Sequence, residues 1–270
     1  MSLIKAVIFD WAGTMIDFGS RAPMGAFVEV FGEFGVDLTV AEARGPMGLP
    51  KLDHIKALGA LPRVAEAWKV AHGGAPFDDA AAQRVYDIFV PLNARIVSDY
   101  AALVPGAAGM VADLRGLGIK IGSTTGYTRD IMAPVLPLAA EQGYAPDNLV
   151  CAGDLVAGRP SPLMMYKCFV DLGVWPASAC VKVDDTDPGI AEGRAAGTWT
   201  VGVSLSGNEV GLSVEELAET PTEERDRLNG EAVAKLETAG AHYVIDTVAD
   251  LPAVLDKIEA RIALGERPDA

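Results

Sequence analysis

The chain reads as an α/β protein: a Rossmann-like parallel-sheet core interrupted early by a helical insert. Three observations carry this expectation. A short apolar strand at residues 4–9 ends on a carboxylate, Asp10. From about residue 98 onward, strands and helices alternate, the pattern of a parallel sheet covered on both faces. Between the two, residues 20–97 carry apolar side chains at helical spacing and no convincing strand. The expected division is a core of residues 1–19 and 98–270 with an insert of residues 20–97.

Taken in order, residues 4–9 are short, β-branched and closed by a loop, as a buried strand requires. Phe27, Val30, Phe31 and Phe34 recur at spacings of three and four before Gly35, which predicts a helix and its stop. Further helices are expected from Pro50 to near Gly59, over 63–72 and over 80–96. Pro105-Gly106 opens the next helix and Gly116-Leu117-Gly118 closes it. Strands are then expected at 119–125, 149–151, 180–183, 198–203 and 242–245, separated by helices over 128–142, 162–172 and 189–196. Residues 207–229 are polar and acidic and read as loop plus short helix, and 248–261 as a closing helix. There are no internal repeats or low-complexity tracts.

Composition bounds the function. The 270 residues are 50% hydrophobic, enough for a substantial core without staples. Asp plus Glu number 37 against 22 Lys plus Arg, a net charge of −15 that argues against nucleic acid as partner. Cys151, Cys168 and Cys180 are odd in number and lack metal-ligand spacing, so reduced thiols in a reducing compartment are expected. His54, His72 and His242 are the only histidines, too few for a histidine-built zinc site. With no signal peptide and no apolar run of roughly 18 residues, a soluble cytoplasmic protein without membrane contact is expected.

Ligands of such sheets sit beyond the carboxyl ends of the strands. Asp10, Thr125, the segment after Cys151 and Asp184-Asp185 all follow expected strands, so one site could collect them. Asp10 offers a nucleophile or metal ligand, though a lone Asp there also forms turns. The Thr125 hydroxyl and the Gly126 N–H offer bonds to a phosphoryl oxygen. Arg159, in Gly158-Arg159-Pro160, offers a cation. The carboxylates of Asp184 and Asp185 repel unless a cation lies between them, and magnesium is the usual hard ion beside phosphates. A helix-capping pair is the plainer alternative.

In this order, Asp10-Trp11-Ala12-Gly13-Thr14, Ser123-Thr124-Thr125-Gly126, Gly158-Arg159-Pro160 and Val183-Asp184-Asp185-Thr186 resemble the four motifs of the haloacid dehalogenase superfamily. The resemblance implies that the insert is a cap domain. It also implies magnesium bound by Asp10, the Ala12 backbone carbonyl and Asp185, with Asp184 as a further candidate ligand. The chain departs from the superfamily in three places. Ala12 replaces the acid that protonates an alkoxide leaving group, Asp184 stands where most relatives have Gly, and Gly189 stands where many have Asp.

Lys51 gives the departure at Ala12 a reason. Pro50 suits the first position of a helix, which puts Lys51 in the first turn. There the helix dipole opposes its charge, and burial would favour the free amine, the form that attacks aldehydes. His54 follows on the same face and could move protons, and Met47 supplies a soft apolar contact. Alone, Lys51 reads as a surface lysine. Paired with Ala12 it reads differently. A nucleophile that expels carbon from phosphorus needs an electron sink rather than an acid, and an imine on Lys51 is such a sink.

With Pro46-Met47-Gly48-Leu49-Pro50-Lys51-Leu52-Asp53-His54, Thr124-Thr125-Gly126-Tyr127-Thr128-Arg129 and Ala196-Gly197-Thr198-Trp199-Thr200-Val201-Gly202-Val203, the chain is similar to the phosphonatases, the phosphonoacetaldehyde hydrolase family. That resemblance implies hydrolysis of phosphonoacetaldehyde to acetaldehyde and phosphate, within 2-aminoethylphosphonate degradation. It implies a Lys51 Schiff base, an aspartyl phosphate on Asp10, one magnesium per subunit and a homodimer. Catalytic roles fall to Asp10, Lys51, His54, Arg159 and Thr125, and substrate contacts to Met47, Gly48, Gly126 and Tyr127. The apolar helix around 27–34 is expected to be core, with a dimer interface as the alternative. The competing functions are a magnesium-dependent phosphomonoesterase or sugar-phosphate mutase, a dehalogenase, and a non-catalytic phosphate-ligand binding protein.

Overall fold

Every residue of the first strand, Ala6–Phe9, is buried, and the sheet is built outward from it. The computed structural model describes residues 2–268. Its six strands are β1 (Ala6–Phe9), β2 (Lys120–Thr125), β3 (Val150–Cys151), β4 (Cys180–Asp184), β5 (Trp199–Val203) and β6 (Tyr243–Ile245). They form one parallel sheet in the order β3-β2-β1-β4-β5-β6. The chain runs outward from β1 through β2 to β3, then returns to the other side of β1 as β4. β1 and β4 therefore flank the topological switch point, where sheets of this kind bind ligands. In register, Phe9 pairs with both Ser123 and Val183, so Asp10, Thr125 and Asp184 emerge along one edge.

The stretch read as the insert carries α1 (Ala22–Glu33), α2 (Val40–Arg44), α3 (Lys51–Ala60), α4 (Pro62–Ala71) and α5 (Asp79–Ile96), with no strand among its residues. The apolar stripe of α1 is core, not a free interface. Phe27, Val30 and Phe31 are fully buried within the chain, and the Phe27 ring is stacked between His54 at 4.0 Å and Phe89 at 4.3 Å. The face is core, as expected, and the dimer-surface alternative at 27–34 falls, because helical periodicity marks a buried face without saying what buries it. Phe27→Ala is expected to cost about 3–5 kcal/mol, the penalty of emptying a packed aromatic site, read as a lowered denaturant midpoint at unchanged slope.

Core helices α6 (Ala107–Gly116), α9 (Leu163–Leu172), α10 (Asp187–Ala195) and α13 (Leu251–Ala263) lie close to expectation. Three elements differ. The helix expected over 128–142 divides into α7 (Arg129–Met132) and α8 (Val135–Glu141) at Pro134, whose ring cannot continue an α-helix. The stretch read as loop plus short helix holds α11 (Val214–Glu219), closed at its start by a Ser213/Glu216 capping box. After it comes the long α12 (Thr222–Thr238). The short α2, capped by Thr39 and Glu42, was not expected either. All three cysteines are free and buried, in agreement with the expectation of unpaired thiols. Among the described residues no helix is long and apolar enough to cross a membrane.

Candidate active site

One cavity lies over the carboxyl ends of β1, β2 and β4. From the sheet side it is lined by Asp10, Ala12, Thr125, Gly126, Tyr127 and Arg159. From the helical insert and its connection come Ser20, Pro23, Met47, Gly48 and Lys51. Thr186 completes the wall. The structure thus brings together nearly all the residues singled out in the sequence. His54, Asp184 and Asp185 do not line the cavity but lie directly behind it.

Lys51 is the first residue of α3, with Pro50 at the N-cap rather than inside the helix. Its side chain is 3% exposed, which fixes it as a buried amine rather than a solvated one. Nζ lies 3.9 Å from Met47 Sδ, over the Tyr127 ring at 4.9 Å and the Phe27 ring at 5.6 Å. Burial in this aromatic and thioether surround pulls its pKa down to about 8, against the raising effect of Asp10. The His54 ring is fully buried, and its Nε2 sits 2.9 Å from the Ala43 carbonyl. That bond requires Nε2–H, which leaves Nδ1, without a hydrogen-bond partner, as a bare acceptor. Burial and the neighbouring Lys51 hold the ring well below the usual histidine range, so it is neutral at pH 7.

The insert reaches the sheet through the loop before α3. Gly48 has φ +89°, and a Cβ there would lie 2.3 Å from Thr186 Oγ1. Both the left-handed backbone and the close approach require glycine. Gly126 lies under the same loop, where a Cβ would meet the Leu49 carbonyl at 3.0 Å. Arg44, at the end of α2, donates to the carbonyls of Gly19, Asn208 and Gly211 at 2.9–3.0 Å. It ties the insert to the 206–211 loop, whose Asn208 N–H donates to Asp185 at 2.8 Å.

Beneath the cavity lies a fully buried charge network. Arg159 Nη2 pairs with Asp10 Oδ1 at 2.7 Å and also donates to the Thr124 carbonyl at 2.8 Å. Asp184 Oδ1 accepts from the Thr186 hydroxyl at 2.7 Å. Its Oδ2 lies 3.0 Å from Lys182 Nζ and 3.2 Å from Arg159 Nη2, without the alignment of a hydrogen bond. Asp185 accepts from the Thr14 hydroxyl at 3.0 Å and from Asn208 N. The Asp184 carboxylate fills the space a side chain at 189 would need, since a Cβ there would lie 1.9 Å from its Cγ. Gly189 and Asp184 are therefore complementary departures from the superfamily pattern.

Two members of this network, Lys182 and Glu192, had no role in the sequence reading. Their signal was present for Lys182: a charge between Val181 and Val183 in a parallel strand is buried on either face and must be paired.

The donor set fits a divalent cation. Asp10, Asp184 and Asp185 each offer an oxygen, all within 4.8 Å of one another. Burial raises Asp10 to about 6, with Asp184 adding to the rise and Arg159 opposing it. Burial, then Asp10 and Asp184, push Asp185 well above the carboxylate range. Asp184 is the exception: burial would raise it too, but Arg159 and Lys182 outweigh burial and hold it low. Beneath the cavity the buried carboxylic side chains Asp10, Asp184, Asp185 and Glu192 outnumber the basic ones, Arg159 and Lys182, a surplus that a hard divalent ion suits.

A strand-end Asp at a switch point, an Arg clasping it and an acidic pair beside it define a hydrolase site of the haloacid dehalogenase type. The family profile described as haloacid dehalogenase-like hydrolase matches residues 4–197. The chain is 56% identical to a phosphonoacetaldehyde hydrolase of Paraburkholderia xenovorans over 99% of its own length and 100% of that protein. It is 49% identical to one of Vibrio cholerae serotype O1, over 99% of each. A crystal structure of a phosphonoacetaldehyde hydrolase-like protein from Oleispira antarctica superposes with a TM-score of 0.97 at 47% identity, covering 98% of this chain and 96% of that one. The chain belongs to the haloacid dehalogenase-like hydrolases and, within them, to the phosphonoacetaldehyde hydrolase family.

Proposed function

We propose that this chain hydrolyses the carbon–phosphorus bond of phosphonoacetaldehyde to acetaldehyde and phosphate, with the helical insert acting as a cap domain over the core. The observation that carries the reading is a buried Lys51 amine in the same cavity as Asp10, with Ala12 where an acid would serve an alkoxide. Lys51 adds to the aldehyde carbon, and loss of water gives a protonated imine. A carboxylate oxygen of Asp10 bonds to phosphorus while the phosphorus–carbon bond breaks, its electron pair flowing through carbon to the imine nitrogen to leave an enamine. The enamine takes a proton on carbon. Water then releases acetaldehyde from Lys51, and a second water cleaves the aspartyl phosphate.

Arg159 balances charge on Asp10 and the phosphonate, and Thr125 and Gly126 offer donors to the phosphoryl oxygens. Met47, Gly48 and Tyr127 shape the wall around the imine. His54 accepts and passes on a proton through Nδ1 during imine formation. Asp10, the Ala12 carbonyl and Asp185 would hold magnesium, which when bound supplies charge to the phosphonate oxygens. Asp184, already facing two cations, is the weaker ligand. The reading extends to a cytoplasmic homodimer in 2-aminoethylphosphonate degradation, with dimer contacts away from the buried face of α1.

Borohydride treatment with phosphonoacetaldehyde, followed by peptide mapping, tests the reading: a reduced two-carbon adduct is expected on Lys51. Labelling elsewhere, or none while phosphate is released, would count against it. The pH dependence follows from the amine. With Lys51 at about 8, the free-amine fraction and the trapping rate should rise about tenfold per unit below that pH and level off above it. A trapping rate that is flat between pH 6 and 8 would contradict an amine titrating there.

A further inference from the structure

Glu192 is fully buried on α10, and the proposed chemistry gives it no role. Its Oε2 accepts from Arg159 Nε at 3.2 Å and from the Thr124 hydroxyl at 2.8 Å, with Lys182 Nζ at 3.3 Å. The Thr124 hydroxyl in turn accepts from Lys182 Nζ at 2.7 Å and from Arg159 Nη2 at 3.0 Å. Arg159 is therefore gripped at both ends of one guanidinium edge, Nε by Glu192 and Nη2 by Asp10.

That division matters because the Nε–Nη2 edge is one of the two forks with which arginine binds a single carboxylate bidentately. Were Nε free, the same edge could close on both oxygens of Asp10, and the nucleophile would be masked by its own counter-ion. With Nε engaged, Asp10 accepts one bond on Oδ1, and its second oxygen stays available to phosphorus. Burying a carboxylate this deeply is costly unless it is paired, and here it has two cations and a hydroxyl as partners.

We infer that Glu192 is a positioning residue that holds Arg159 to a single bond with Asp10 and so keeps the nucleophile's second oxygen free to attack. The inference rests on the proposed hydrolysis. Its effect falls on attack at phosphorus, not on imine formation at Lys51, which lies on the other wall of the cavity.

The test is a double-mutant cycle of Glu192→Leu and Arg159→Lys, read on phosphate release from phosphonoacetaldehyde and on acetate release from acetyl phosphate. Leucine removes the acceptor, whereas a glutamine oxygen would still hold Nε. Acetate leaves phosphorus without needing an imine or an acid, so the second readout reports on Asp10 alone. Glu192→Leu should lower kcat roughly 10–100-fold in both reactions, as expected for a misplaced charged group. KM and borohydride trapping on Lys51 should stay near wild type. In the Arg159→Lys background, which lacks the fork, Glu192→Leu should have little further effect. Should Glu192→Leu fail to fold, the Lys182→Met/Glu192→Leu pair removes both buried charges and takes its place in the cycle. A Glu192→Leu kcat within threefold of wild type, or effects that multiply independently, would overturn the inference. Failure of the wild-type protein to release phosphate from phosphonoacetaldehyde would instead overturn the proposed substrate, leaving Glu192 to be judged on acetyl phosphate.

Discussion

Lys51→Arg is expected to remove phosphate release from phosphonoacetaldehyde by roughly 10⁴-fold or more, equivalent to about 5.5 kcal/mol of barrier. The guanidinium stays charged at any accessible pH and does not form an imine, so the electron sink is lost while a cation of similar length remains. Although burial lowers its pKa to about 8, with Asp10 opposing, Lys51 is still mostly protonated at pH 7, so the fold already holds a charge there. The far-UV spectrum and melting temperature should therefore stay close to wild type. Acetyl phosphate turnover, which needs Asp10 but not the amine, should survive. Residual phosphonate cleavage above about one per cent, against the 10⁴-fold loss expected for a covalent nucleophile, would mean that carbon leaves without an imine.

How much of this could be read from the chain alone follows from where each residue sits. Asp10, Thr125 and Asp185 were legible because buried parallel strands are short apolar runs, and the polar residue ending each run is conspicuous. Lys51 was legible only through chemistry, as the partner that Ala12 demands. The misses share a physical cause: partners distant in sequence. α12 buries only Ala232 and Leu236, so a polar stretch gave little helical signal, yet it covers β5 and β6. Glu192 lies in a helix with no motif or strand-end signal, and its partners Arg159 and Thr124 come from two other segments. Arg44 binds three backbone carbonyls from two loops, contacts that no side-chain pattern encodes. The Phe27 stripe was legible as a helix with a buried face, and spacing favoured core over a partner surface; the chain's own Phe89 and His54 cover it.

Asp10→Asn is expected to cut phosphate release by roughly 10³–10⁴-fold or more while leaving the Lys51 imine intact, which separates the two halves of the chemistry. The amide is isosteric and still accepts from Arg159 Nη2, so the network below it stays closed. It has no oxygen able to form an acyl phosphate, so acetyl phosphate turnover should vanish as well. The charge has a second consequence. Asp10 raises the pKa of Lys51, opposing the burial that lowers it. Removing that charge stabilises the free amine, and the midpoint of the trapping profile should move below about 8. Asp10 itself is raised to about 6 by burial and by Asp184, so above that pH its ionisation weighs against the metal-free fold, a penalty that disappears below its ordinary value of 3.8. At pH 7 the metal-free Asp10→Asn protein should accordingly melt a few degrees higher than wild type. Loss of trapping along with phosphate release would show that the carboxylate is needed to form the imine, and the two-residue division of labour would fall.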